Sequence, residues 1–598
     1  MKIITINHTQ FCFVVLCLFT PLQLLSAEVI NQADTNALEQ NRQQERLRLL
    51  KQQQEIKPDV REAVEKLQNA ATVISDQIPE SETPCFAIHQ VELVGDSASK
   101  FQFALDAVLT HAQEVNQPIL GRCLGAVGIN ALMARVQHAI IAKGYITTRV
   151  LAAPQDLKSG VLKLTIVPGR LSSVRFTPDS SKRISAWNSL PIHVGDILNL
   201  RDIEQALENF KRVPTAEVDI QIEPAQSGLN GEQPLSQPGL SDLVISYRQR
   251  FPLRVSLNLD DSGVNSTGKY QGGITLSADN LLSINDLFYV NYNHDLGGGD
   301  SGRRGNESHS AHYSIPLQNW LLSTSASHST FHQTVAGTNQ SYVFSGISQQ
   351  GDVKASRLVY RSQINKTFLS VKGFLRKSSN YINDTEIEVQ RRRTAGWELG
   401  VNQSWYLGSA VLDYNLAYRR GTGAKDSLKA PEEAFNEGTS RMEMLIGDLS
   451  LNVPFKVSAP WGMQPLQYNA NLRGQANYTP LTPQDRFSIG NRFTVRGFDG
   501  QQTLLADHGW FIRNELAVPI AASGQSMYWG LDYGEVGGQS AKNLLGQYLA
   551  GTALGMRGGL GSRFGYLSYD VFVAKPINKP QGFETHSTTA GFNFNYSY

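Results

Sequence analysis

Only 18% of the 598 residues are charged, cysteines number four, and the net charge is +1. With 54 basic residues against 53 acidic there is no basic surplus for a nucleic-acid backbone, so no nucleic-acid partner is expected. Beyond the N-terminus no apolar run reaches the ~20 residues a membrane helix requires. No Cys-x-x-Cys or His-x-x-x-His lies near the cysteines of the mature chain, so no metal is expected. A Gly-x-x-x-x-Gly-Lys-Ser/Thr loop is also missing, and Gly297-Gly298-Gly299 reads as an outer loop between strands rather than a phosphate cradle. Serines, histidines and aspartates are scattered without a nucleophile elbow. Neither an enzyme nor a cofactor is expected.

What is present begins with an export signal over 1–27. Lys2 supplies the positive start, Phe11 to Leu25 an apolar stretch broken by Pro21, and Ser26-Ala27 a cleavage point. Its removal takes Cys12 and Cys17 with it. Cys85 and Cys123 remain in an oxidising compartment, and a single disulfide is the natural reading.

The mature chain changes character twice. Residues 28–56 centre on a helix, Asn31 to Gln54, rich in Gln, Arg and Glu and polar nearly all round. Such a helix cannot bury itself in an apolar core; the segment is either disordered or seated in a water-filled polar cavity. A linker follows over 57–84. Two α+β units come next, 85–169 and 170–249, which read as tandem copies of one β-α-α-β-β design. In the first, Ile129, Leu132, Met133, Val136 and Ile140 form one helical stripe closed by Gly144. In the second, Leu200, Ile203, Leu207 and Phe210 do the same, and Pro224 to Gly239 is a long loop.

From 250 to 598 the pattern is strands. About sixteen are expected over roughly 345 residues, about 21 per strand and connection, which suits strands of 9–11 residues tilted across a bilayer. Connections alternate between short (Leu407 to Ser409, Ala521 to Ser526, Gly559 to Gly561) and long (Gly421 to Ser440, Val536 to Gly546, Pro576 to Thr585). The closing run Phe592-Asn593-Phe594-Asn595-Tyr596-Ser597-Tyr598 alternates rings and small polar groups, as a strand between lipid and an aqueous lumen would. A transmembrane antiparallel β-barrel is the expected fold of this part.

The longest connection, 479–507, holds Val495-Arg496-Gly497-Phe498 among further glycines and apolar residues. That composition suits a loop folded back into a cavity, where glycine permits close approach and the arginine needs a carboxylate. Two strands on, Gly530, Asp532 and Gly534 share a face opposite Trp529, Leu531 and Tyr533. With the apolar face toward lipid, Asp532 points into the lumen between two glycines, and a pair with Arg496 is expected.

These features together resemble the two-partner secretion transporters (TpsB), the outer-membrane exporters of filamentous haemagglutinins, ShlB-like haemolysins and CdiB-like contact-dependent inhibition toxins. Supporting stretches are Pro84-Cys85-Phe86, Gly121-Arg122-Cys123-Leu124, Gly144-Tyr145-Ile146-Thr147-Thr148-Arg149-Val150 and Asn199-Leu200-Arg201-Asp202-Ile203-Glu204-Gln205. The sequence departs from the family in ending on Tyr598, where phenylalanine is commoner, and in its long 224–239 loop.

The resemblance implies two periplasmic POTRA domains, a 16-stranded outer-membrane barrel of a Gram-negative bacterium, and an N-terminal helix that plugs it. It implies that Arg496 and Asp532 pair, that the partner is a secreted TpsA-type exoprotein, and that export needs no ATP. Outer-membrane lipid and the barrel assembly machinery are further implied partners, and the chain is expected to be monomeric. The alternative is an assembly or insertase barrel of the same superfamily, which usually carries more POTRA domains and no plug helix.

Overall fold

The computed structural model describes residues 78–114, 118–225, 239–520 and 523–598. The export signal, the polar helix Asn31 to Gln54 and most of the 57–84 linker lie outside the described residues.

In the first small domain the strands Gln90–Gly95, Val161–Val167 and Arg149–Leu151 form one sheet with Val161–Val167 central, parallel to the first and antiparallel to the last. Helices Gln102–Glu114 and Ala126–Ala142 cover it, and Ile129, Leu132, Val136 and Ile140 are buried with Phe101, Leu162 and Leu164. Gly144 follows the second helix at φ +97°, a left-handed position that favours glycine. The helix begins on a glycine with no side chain to cap it, and Glu82 does this from a distance. Its carboxylate accepts N–H bonds from Gly125 (2.6 Å), Val127 (2.8 Å) and Gly128 (2.9 Å). Desolvation works against the ionised form, yet these three bonds hold the Glu82 carboxyl below its ordinary value. Cys85 and Cys123 form a disulfide, Cα–Cα 5.3 Å, beside the short pairing of Phe86–Ala87 with Cys123–Leu124.

The second domain repeats this sheet order with Arg170–Phe176, Leu240–Gln249 and Ala216–Pro224. It departs from the expected β-α-α-β-β order, because one helix, Leu200–Lys211, replaces two. Residues 177–199 run as turns instead. Pro178 and Pro191 interrupt any helical ladder there, and Gly195 sits at φ +93°.

Sixteen strands from Leu253–Asp260 to Thr589–Ser597 close into one antiparallel barrel. The last pairs with the first, Phe594 opposite Leu259 and Tyr596 opposite Leu257. Twelve of the sixteen strands exceed the expected 9–11 residues, and the longest are Ser341–Arg361 at 21 and Asn365–Ile382 at 18. Their Arg361 and Lys366 ends meet the second small domain. Gly559 to Gly561 is not a turn; the strand runs on to Ser562 and reverses at Arg563-Phe564. A Cβ on Gly559 would lie 1.8 Å from Tyr566 Oη, so glycine there makes room for a ring of the next strand rather than bending the chain.

The second domain is docked on the barrel's periplasmic rim by buried polar groups. Lys366 Nζ contacts both oxygens of Glu208 at 3.0 and 3.1 Å. Arg361 binds Glu208 (2.6 Å), Glu204 (2.9 Å) and the Gln205 side-chain carbonyl (2.9 Å). The Leu200–Lys211 helix is therefore buried on two sides, the apolar one against its own sheet and the polar one against the barrel.

Candidate lumen lock

Residues 478–507 fold into the barrel as a compact unit. Phe487–Ile489 pairs antiparallel with Leu504–Ala506, and Ile489, Val495, Phe498 and Leu504 join Phe511, Val536, Leu549 and Phe583 in one buried cluster. Within it, Thr494 Oγ1 accepts the N–H of Gly490 at 3.1 Å, and Val495 N–H donates to Asn491 O at 3.0 Å. That turn aims Arg496 at the wall.

On the strand Gln525–Gly537, Trp529 and Leu531 face outward, 54% and 43% exposed, while Asp532 faces inward at 1%. The Arg496 guanidinium grips both Asp532 oxygens, Nε to Oδ2 at 2.7 Å and Nη2 to Oδ1 at 2.8 Å. This is the planar two-point contact that suits arginine and not lysine. Arg496 Nη1 also donates to Glu515 Oε2 at 3.0 Å, and Nη2 to Asn514 O at 3.2 Å. Arg557 reaches Glu515 at 2.7 Å and lies 4.2 Å from the Tyr528 ring centre, while Arg513 stands 3.8 Å from Asp532. Three arginines thus share this part of the wall with Asp532, Glu515 and Asp570, to which Tyr528 Oη donates at 2.7 Å. Charges so poorly solvated are tolerated because each meets an opposite one.

The neighbouring glycines are spaces that the loop fills. A Cβ at Gly530 would lie 2.2 Å from Arg496 Nη2, and one at Gly534 would lie 3.0 Å from Val495 Cγ2. Gly497 has φ +106° and passes against the backbone of Lys575. Phe498 meets Phe583 edge-on, ring centres 5.7 Å apart. All the motif residues, Val495, Arg496, Gly497, Phe498, Gly530, Asp532 and Gly534, therefore meet in one place.

Several participants were absent from the sequence reading, Arg557 and Asp570 among them. Glu515 and Arg513 stand two apart, opposite Trp510 and Ile512, so strand alternation alone marks them as lumen-facing. Gly551 lies opposite Asp532, and a Cβ there would fall 1.8 Å from Arg496 O. Asp261 binds Arg492 at 2.5 Å and ties the loop to the closing seam. Pairing register identifies Gly551, and the fold of the loop identifies Asp261.

No helix among the described residues is long and apolar enough to cross a membrane. Nor do the described residues hold a group of three metal ligands. His328 and His332 are four apart in sequence, but on a strand that spacing separates them by about 13 Å.

The profile of haemolysin secretion/activation proteins (ShlB/FhaC/HecB) matches residues 239–558, a ShlB-type POTRA domain matches 86–169, and a second POTRA domain matches 170–224. The chain belongs to the ShlB/FhaC/HecB family. It is 39% identical over 520 residues to the outer membrane transporter CdiB-2 of Burkholderia pseudomallei strain 1026b, with 86% of each chain covered. The haemolysin transporter ShlB of Serratia marcescens is 23% identical over 66% of this chain and 67% of its own. Among solved structures, CdiB from Acinetobacter baumannii is 31% identical with a TM-score of 0.76, covering 94% of this chain and 99% of that one. CdiB from Escherichia coli, at 22% identity and a TM-score of 0.78, shares the fold. This ShlB/FhaC/HecB protein is thus a two-partner secretion transporter, its barrel in the outer membrane and its two POTRA domains in the periplasm.

Proposed function

We propose that the protein exports one unfolded TpsA-type exoprotein from periplasm to cell surface. The POTRA domains capture the cargo's N-terminal segment by strand addition, which needs backbone bonds more than a particular sequence. The cargo is an adhesin, a haemolysin or a contact-dependent inhibition toxin, and the several CdiB relatives favour the last. The polar helix 31–54 fills the lumen at rest, since an open pore of this size would leak solutes. The chain's lack of a nucleotide-binding loop supports export without ATP.

The observation that carries this reading is the Arg496–Asp532–Glu515 cluster, which holds a folded loop inside the barrel wall. In this reading the loop is a part that moves, and the cluster sets its resting position. The test is export of the cargo from cells carrying a chain without 85–248. Export stops while the barrel persists in the membrane; continued export would overturn the capture role.

A further inference from the structure

The outer wall of the barrel carries a polar line where lipid-facing surface is expected. Tyr292, His309, His328, Gln349, Lys377 and Arg393 are directly opposite one another across six successive strands. They share the face of Leu276 and Val353, which are 47% and 65% exposed, and so point away from the lumen. Immediately toward the periplasm runs a second line, Val290, Ala311, Ala326, Gly351 and Leu375, also in register. Its middle residues are small, and a Cβ on Gly351 would touch nothing closer than 3.9 Å. Between Leu276 and Gln349 these lines edge a groove of about 530 Å³, whose lining includes Val290, Ala311, Ala326, His309 and His328, and Lys377 stands opposite Gln349 on the next strand.

Polar groups on a lipid-facing wall are expensive unless something polar meets them. Part of this line is satisfied internally. Glu307 lies 3.1 Å from His309, and Arg393 lies 3.2 Å from Asp426. His328 meets Gln349 at 3.4 Å, and Lys377 makes no ion pair among the described residues. At about 4.8 Å per strand the trough runs roughly 19 Å from the strand of Leu276 to that of Gln349, the scale of one extended fatty acyl chain. The polar margin lies on the extracellular side of the trough, so a lipid seated there has its head toward the cell surface. That orientation belongs to the outer leaflet, where the abundant lipid is lipid A, a phosphorylated glycolipid.

We propose that this face of the barrel is a binding site for lipid A, with an acyl chain over Ala311, Ala326 and Gly351 and a phosphate held by Lys377 beside the histidine margin. Small floor residues admit the chain, and cations on its extracellular edge select the anionic head.

The test uses the full chain purified from outer membranes in mild detergent, with bound lipid A and phosphatidylglycerol each counted by mass spectrometry. The native chain retains lipid A. Lys377→Leu combined with His328→Leu lowers that amount about five-fold or more, the factor expected for one lost cation at a lipid head. Ala326→Trp, which fills the trough and leaves every polar group in place, lowers it independently. Heat-modifiable migration confirms that each variant is folded. Unchanged lipid A in either folded variant overturns the proposal. So does phosphatidylglycerol in its place, or a dimer of this chain that Ala326→Trp dissociates.

Discussion

Asp532 is bound by Arg496 through three hydrogen bonds: two from the guanidinium, and one from the Arg496 backbone N–H to Oδ2 at 2.9 Å. The side-chain pair and the position of the loop backbone are therefore one interaction. The loop cannot shift while the pair remains intact.

Asp532→Asn removes the charge and keeps the shape. Breaking one side of a buried pair costs about 3–5 kcal/mol, because the remaining charge is left uncompensated. Secretion of the cargo falls while heat-modifiable barrel in the outer membrane stays at the native level. Equal loss of both would make the pair structural only.

Gly551→Ala leaves every charge in place and obstructs the seat of the loop, since its Cβ would lie 1.8 Å from Arg496 O. The expected outcome matches that of Asp532→Asn, with secretion lost and the barrel retained. Normal secretion would show that the loop position has no role in export.

The POTRA dock is acid-sensitive. Glu208 is desolvated, which disfavours its charge, but Lys366 and Arg361 outweigh this and hold its carboxyl at about 2, below the ordinary 4.5. At Glu204 desolvation wins over Arg201 and Arg361, and its carboxyl is raised. Glu204, being raised, takes up its proton at a higher pH than Glu208, so Glu208 is the last of the two to lose its charge. Its contribution to docking is complete above pH 4.5 and disappears as pH falls toward 2. Spin-label distances between the second POTRA domain and the Arg361 turn broaden over that range. Glu208→Gln broadens them at neutral pH, and distances that stay sharp in both cases would count against the dock.

Replacing Cys85 and Cys123 with serine removes a constraint across 38 residues, worth roughly 4 kcal/mol in the chain-entropy model. Hydrogen exchange in the first POTRA domain, read at Leu132 and Leu164, accelerates while barrel strands keep their protection. Uniform protection throughout would place the disulfide outside the domain's stability.

Much of this architecture was readable along the chain. Period-two alternation put Asp532 inside and Trp529 outside, and the three- and four-residue stripe of Leu200, Ile203, Leu207 and Phe210 identified a helix and its buried face, because both are local consequences of backbone geometry. The other side of that helix could not be read in the same way. Glu204, Gln205, Glu208 and Asn209 look solvated until the partner surface is known. Gly559 misled because its role is spatial, to accommodate a neighbour's ring, and Gly551, which accommodates the loop backbone, gave no local signal; neither space exists until strands are paired.

The order of amino acids alone determined strands, helices, the mature cysteine pair and the arginine and aspartate that meet in the lumen. Tertiary structure decided what surrounds them: the second carboxylate on Arg496, the ionic seat of the second POTRA domain and the polar line across the outer wall. Each of those depends on strand register, loop insertion or domain docking, which join residues far apart in sequence that no local pattern connects.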